Sequence, residues 1–504
     1  MLRTTLFLLA LASMDLRAQW QLIASGDQLP TATYDGCTHP DGSITVLTNE
    51  STALGYYNSA FVHSIGPFGS PLEDTVHITS QSEPALAARI YRRGTQDHYF
   101  VTGALLDSSI VGFENRSFVG EVDNGQIQMY PHGSRFHEGG DGLGFVAGDG
   151  SLVYGYYHFQ DFATLDFNFR AVRHCPGLGA CDSSLINSQI GTGRVQTMVP
   201  LADGTIATIM PAIHQGCSPS NDGIVILNQD LDTLNCLPIP IIESGMWNTT
   251  ATFDDNLTAL RLASGNILLC GVYERIMSPD WWHPVAIQRL TPEGDLLASR
   301  RFYNSTNPAI TMRPGIMRGM SPFDEGTFAF AYADFAWQSS PWPYMTETSN
   351  IHVLRMDTAL NILGEYIFNG DAINRYHFLS SVVASPDGAV YVVGSVYDHD
   401  ADDPMPKAWV ARVGPEQFVS VPEVQQAGFS VFPNPGADGF HLRMANPLRG
   451  AHAYLRNAQG SLLREMALTN VQTWIDACDL PVGLYILEVA DTDGNRTALR
   501  WVKE

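Results

Sequence analysis

SPDGAVYVVGSVY, spanning Ser385–Tyr397, decides the fold. An Asp-Gly pair stands between two β-rich runs, and glycine accepts the positive φ that a tight hairpin turn demands. The same turn recurs along the chain: HPDGSITVL from His39, YRRGTQDHYFVTG from Tyr91, AGDGSLVYGYY from Ala147, LADGTIATIM from Leu201, LASGNILLCGVY from Leu262 and FDEGTFAFAYA from Phe323. The turn glycines are Gly42, Gly94, Gly150, Gly204, Gly265, Gly326 and Gly388, spaced by 52, 56, 54, 61, 61 and 62 residues. So regular a period marks repeated supersecondary units that cannot bury their apolar faces alone.

A third strand follows each hairpin at a similar offset: SAFVHSI, SFVGEV, FRAVRH, GIVILN, VAIQRL, IHVLRM and AWVARV. A weaker fourth run comes after another turn. Seven units of four strands predict an all-β, seven-bladed β-propeller over residues 19–420. The ring has to be closed, because an open edge invites aggregation. WQLIA, from Trp20, is expected to be the outermost strand of the seventh unit, with QFVSV from Gln417 as the competing candidate.

Length and composition set the remaining bounds. The 504 residues exceed what one core usually serves, and the 45% apolar content suffices for several. MLRTTLFLLALASMDLRAQW opens with Arg3 and an apolar run, then reaches small residues at Ala18, so residues 1–18 read as a cleaved secretory signal. No later stretch approaches the ~20 apolar residues that cross a bilayer, and no membrane span is expected in the mature chain. A net charge of −24 with only two lysines, Lys407 and Lys503, argues against nucleic acid as a partner, since phosphate binding needs clustered cations. Among seven cysteines, Cys175 and Cys181 bracket CPGLGAC, a Pro- and Gly-bearing reversal suited to a short-range disulfide. The others are expected to be small buried hydrophobes.

In a propeller the first hairpin of each blade lies on one face, and the loop between strands two and three lies on the other. The second set is longer here and is the expected site of function. It carries Asp280, Trp281, Trp282, His283, Trp337, Trp342 and Tyr344 on neighbouring blades. Aromatic faces stack on sugar rings or grip partner side chains, and carboxylates accept hydrogen bonds, which suggests non-enzymatic recognition of a glycan or a protein. Asp398, Asp400 and Asp402, in DHDADD, have the alternating spacing that suits calcium, although the glycine and final glutamate of an EF-hand are missing. No other cofactor is expected. The alternative is an extracellular polysaccharide hydrolase or lyase using carboxylates on the same face, with RFHEGGDG (His137, Glu138, Asp141) nearby. HExxH and GxSxG are absent, SPDGAVY lacks the later glycine of a sialidase Asp-box, and no catalytic residue is assigned.

After a linker over 421–428, the chain turns to FSVFPNP, then a strand ending at a Gly460 turn, then DLPVGLYILEV, then a last strand with Lys503. Short alternating runs separated by Gly and Asp turns suggest a small Ig-like β-sandwich over 429–504. These motifs, above all Pro433-Asn434-Pro435 and the Gly483 and Tyr485 of LPVGLY, resemble the type A C-terminal sorting domain of type IX secretion in Bacteroidota. LRNAQG departs from that pattern, where a Tyr-Asp pair commonly precedes the glycine. The resemblance implies passage through the outer membrane, contact with the type IX machinery and a sortase-like protease, and a secreted or cell-surface product. A reporter fused to residues 428–504 and expressed in a type IX host is expected at the cell surface or in the medium. Its retention in the periplasm would contradict that assignment.

Overall fold

The computed structural model describes residues 19–24, 31–51, 57–70, 75–78, 84–94, 98–107, 114–132, 143–161, 166–187, 197–210, 223–240, 243–244, 250–251, 253–273, 275–277, 280–282, 284–303, 310–336, 347–401, 405–418, 429–432, 436, 438–444, 451–457, 461–468, 472–490 and 496–503. The expected leader at 1–18 and the expected linker at 421–428 lie outside them. The chain divides into two compact units, Met1–Val419 and Ser420–Glu504. No α-helix occurs among the described residues, and none is long and apolar enough to cross a membrane.

The first unit is a β-propeller built from antiparallel meanders. In its first sheet, Thr31–Thr38, Ile44–Ser51, Tyr57–Ile65 and Val76–Ile78 pair in chain order, and each later repeat forms its own sheet from the next hairpin onward. Seven sheets of four or five strands are present among the described residues of this unit. Their first strands touch in succession, Thr31–Thr38 against Ala85–Arg92 and so on around to Met320–Pro322 against Arg375–Ala384, which in turn meets Thr31–Thr38. The last sheet is completed by the chain's beginning: Gln19–Ala24 pairs antiparallel with Lys407–Val413 in the register Gln19↔Val413 to Ala24↔Ala408. The competing segment enters a 3-10 turn at Pro415–Phe418.

Why the repeats assemble is visible in where the apolar side chains lie. Each apolar cluster of this unit draws on two neighbouring sheets and none is enclosed by a single one. Leu47, Val62 and Val101, for example, pack between the first and second sheets, and Ile44, Tyr391 and Val410 between the first and last. Polar ties cross the same seams. Asn49 Nδ2 donates to Ala87 O at 2.7 Å while its Oδ1 accepts from Ala87 N, Thr197 Oγ1 donates to Leu257 O, and Thr38 Oγ1 donates to Ala384 O.

The recurring turn has one chemistry. His39 N donates to Ser43 O and Gly42 N to His39 O, with Gly42 at φ 84°, and the same pattern closes Ala147–Ser151, Leu262–Asn266 and Ser385–Ala389. In Asp-Gly-Ser/Thr turns the aspartate side chain accepts from the backbone N–H and the hydroxyl two residues on, as Asp41 does from Ser43. These bonds hold the Asp41, Asp149 and Asp203 carboxyls below the usual range. Gly326 differs: it stands outside the positive-φ set, and Asp324 Oδ1 accepts from both Gly326 N and Thr327 N.

The sixth sheet carries an irregularity that organises the ring. Its inner edge is split into Ile310–Pro314 and Met320–Pro322, both paired with Thr327–Ala336. The intervening turn leaves the sheet and reaches both neighbours: Met317 N donates to Ser380 O, Val382 N to Arg318 O, and Gly319 N to Thr258 Oγ1. A Cβ on Gly315 would stand 2.5 Å from Arg318 O and 2.8 Å from Ser380 O, both backbone atoms. Gly315→Ala is therefore expected to cost about 1–3 kcal/mol, read as a lower midpoint in chemical denaturation. Unchanged stability would show that the turn can shift away from Ser380.

The second unit contains two sheets, Phe429–Phe432, Gly439–Met444 and Gln472–Asp476 in one, and Leu462–Leu468, Ala451–Asn457, Gly483–Ala490 and Arg496–Lys503 in the other. They share one core, with Phe440, Leu442 and Ile475 from the first sheet against Leu455, Leu487 and Trp501 from the second.

Candidate functional site

The connection between the second and third strands of the fifth sheet is a small ribbon of its own. Arg275–Met277 pairs with Asp280–Trp282 in the register Arg275↔Trp282, Ile276↔Trp281 and Met277↔Asp280. Asp280, Trp281 and Trp282 thus stand at consecutive positions of a hydrogen-bonded strand. His283, Trp337, Trp342 and Tyr344 lie outside the described residues, as do His137, Glu138 and Asp141.

In the seventh sheet Arg375 Nε and Nη2 donate to Asp398 Oδ2 at 3.0 and 2.7 Å, and Asn374 Nδ2 donates to Asp400 Oδ1 at 2.8 Å. The Arg375 bonds hold the Asp398 carboxyl below its usual range against the opposing effect of burial. Two of the three aspartates named for calcium thus already hold protein donors. Asp402 is outside the described residues, among which no group of three metal-ligating side chains occurs.

Sequence reasoning missed a charged group beside the loop at 337–346. His352 bridges two acids, Nδ1 to Glu365 Oε1 at 2.7 Å and Nε2 to Asp334 Oδ2 at 3.4 Å, and its ring stacks on Tyr332 at 4.6 Å between centroids. Burial alone would lower the imidazole's pKa, but the hydrogen bonds and charges of Asp334 and Glu365 outweigh it and lift the value to about 9. The three residues sit on separate strands, so only the cross-strand register brings them together.

A second feature lies on the axis. The ends of the first strands of six sheets, where they lead into the short hairpins, enclose a cavity of about 320 Å³. Its walls include Val146, Met198, Pro200 and Met320, and its charged lining residues are Arg92, Arg261 and Arg318. Arg318 is carried in by the turn that leaves the sixth sheet, and its Nη2 donates to Oδ2 of the fully buried Asp35 at 3.0 Å. Irregular register between Thr33 and Asp35, and between Ala87 and Arg89, interrupts the inner strands of the first and second sheets midway. Tyr91 OH, whose pKa burial pushes up, accepts from Gly144 N at 2.9 Å. This mouth is on the short-hairpin side, opposite the loops from which the sequence led us to expect function. The signal available in the sequence was Arg92 and Arg261 just before two of the seven turns, which alternation alone does not separate from exposed positions.

The sulfurs of Cys175 and Cys181 are bonded across the turn joining two strands of the third sheet, with the Cα atoms 5.7 Å apart. Cys236 is also disulfide-bonded and Cys478 is exposed, so the expectation of small buried hydrophobes describes Cys37 and Cys270 alone among these four.

In the second unit, motif residues converge on one turn. Lys503, buried, donates from Nζ to Ala477 O at 2.6 Å and Cys478 O at 2.9 Å, while Tyr485 OH donates to Pro481 O. Gly483 opens the strand that leaves this turn. Pro433, Asn434 and Pro435 are outside the described residues, but Gly436 just after them donates its N–H to Val502 O at 2.9 Å.

Residues 430–504 match the secretion system C-terminal sorting domain. The chain thus carries a type IX sorting tail, which makes it a secreted or cell-surface protein and implies interaction with the type IX machinery. No curated protein matches the chain significantly. Among solved structures it is similar to a virginiamycin B lyase from Staphylococcus aureus in complex with quinupristin, at 10% identity over 78% of this chain and 99% of that one, with a TM-score of 0.43. It is also similar to the polysaccharide lyase Uly1, at 8% identity over 79% and 99% with a TM-score of 0.43, and to the Dos1 propeller, at 8% identity over 79% and 95% with a TM-score of 0.40.

His352 sets a pH dependence. Its folded pKa lies above the ordinary value of 6.5, so its contribution is complete below about pH 6.5 and is lost as pH rises through about 9. His352→Gln is expected to lower stability on the order of 2–3 kcal/mol at pH 6, with the gap to the parent closing above pH 9. Denaturation curves of both proteins from pH 6 to 10 measure it, and a gap independent of pH would exclude the charged form.

Proposed function

We propose that the chain is an exported recognition protein: a leader at 1–18, a seven-bladed propeller over 19–420, a linker over 421–428 and a sorting tail over 429–504 that a sortase-like protease removes. The propeller binds an extracellular glycan or protein through its long-loop rim, without chemistry. The observation that carries this reading is the ribbon Arg275–Met277 and Asp280–Trp282, in which two consecutive tryptophans stand on a hydrogen-bonded strand within a loop. A hydrogen-bonded ribbon limits the entropy lost on binding, and tryptophan supplies large contact area for stacking on sugar rings or packing into a partner's pocket. Trp337, Trp342 and Tyr344 on the next loop, with Asp280 and His283, would complete the contact.

The triple variant Trp281→Ala, Trp282→Ala, Trp342→Ala is expected to reduce retention on immobilised polysaccharides or cell-surface extracts by tenfold or more, with its melting transition kept. Undiminished retention would overturn the rim as the binding surface. Release of reducing ends or unsaturated sugars by the parent would replace recognition with polysaccharide cleavage.

A further inference from the structure

We propose that the hairpin-side cavity binds a small organic carboxylate, held by Arg92, Arg261 and Arg318. This site is separate from the long-loop rim and does not rest on it.

Charge supplies the first argument. The chain has 52 acidic and 28 basic residues, yet the charged residues lining this cavity are three arginines, with no acid among its described walls. Two nearby acids among the described residues have other engagements. Asp35 is fully buried and holds Arg318, and Asp203, which shares the field of Arg261, accepts two bonds from Thr205 within its own turn. Guanidinium groups converging in an apolar-walled space act on an anion more strongly than they do in water, and their planar forks match the two oxygens of a carboxylate.

Preorganisation supplies the second. Arg318 does not ride on a free loop: its backbone is tied to Ser380 and Val382, Gly319 is tied to Thr258, and its Nη2 is fixed by Asp35. Its Nε is buried and has no hydrogen-bond partner among the described residues. A guanidinium whose backbone and Nη2 are already fixed loses little conformational freedom on meeting an anion.

Size supplies the third. A volume of about 320 Å³ falls at the lower end of small-molecule sites and admits a sugar acid or an aromatic acid. Val146, Met198, Pro200 and Met320 offer apolar contact for its carbon skeleton.

The test is calorimetric titration of the full chain with D-glucuronate and with benzoate, using D-glucose and inorganic phosphate as controls. At least one carboxylate is expected to bind, weakening as salt rises, and glucose is expected not to bind. Arg261→Gln, at an exposed position, is expected to weaken that carboxylate about tenfold or more, and Arg92→Gln with Arg261→Gln to abolish it, both with an unchanged melting transition. The triple tryptophan variant is expected to bind it as the parent does, which separates this site from the rim. Failure of both carboxylates, equal binding of glucose, binding of phosphate alone, or undiminished carboxylate binding in the arginine variants would overturn the proposal.

Discussion

The rest of the propeller depends on the apolar seam between neighbouring sheets. A four-stranded meander has two faces and only its own edge to cover them, so an isolated repeat would leave leucines, valines and phenylalanines in water. Here every cluster is shared, and the last seam, where Ile44, Val46 and Ile65 meet Val383, Tyr391 and Val393, is as necessary as the first. Tyr391 OH reaches across it to Gly42 O, and Ser381 Oγ to Tyr34 O. Pairing Gln19–Ala24 with Lys407–Val413 makes that closure hydrogen-bonded as well as apolar, because residues from opposite ends of the unit then belong to one sheet.

Closure has a consequence at the axis. Where inner strands converge, backbones crowd and side chains of opposite character must share a narrow space. The ring meets this with irregular register, with a turn that leaves the sixth sheet, and with the buried pair of Asp35 and Arg318, which links the sixth sheet to the first. Such a buried pair is weak as a source of stability, since desolvation offsets much of its attraction. Its physical effect is to orient a guanidinium beside a cavity, so the element that ties the ring together also shapes its mouth.

The sorting unit solves a different problem with different means. Two small sheets enclose one shared core, and the ammonium of Lys503 fastens the turn at Ala477 and Cys478 from the last strand. A domain of this size has little surplus stability, so each such tie is a sizeable fraction of the whole. The sorting unit and the propeller thus each have apolar clusters of their own among the described residues.

Much of this was legible in the residues. Asp-Gly turns at a near-constant period specify meanders, because positive φ and side-chain capping are local demands that glycine and aspartate satisfy wherever they stand. Alternating runs specify strands, and the tail's motifs specify an address for the same local reason. The Asp334–His352–Glu365 bridge, the pairing of Asp398 with Arg375, and the gathering of Arg92, Arg261 and Arg318 were not legible. Those residues are brought together by register between strands and by rotation about a common axis, and neither leaves a periodic trace in the chain. Sequence determined which segments would form repeats; tertiary structure decided which charges would face one another, because the distances that govern electrostatics exist only after the ring has closed.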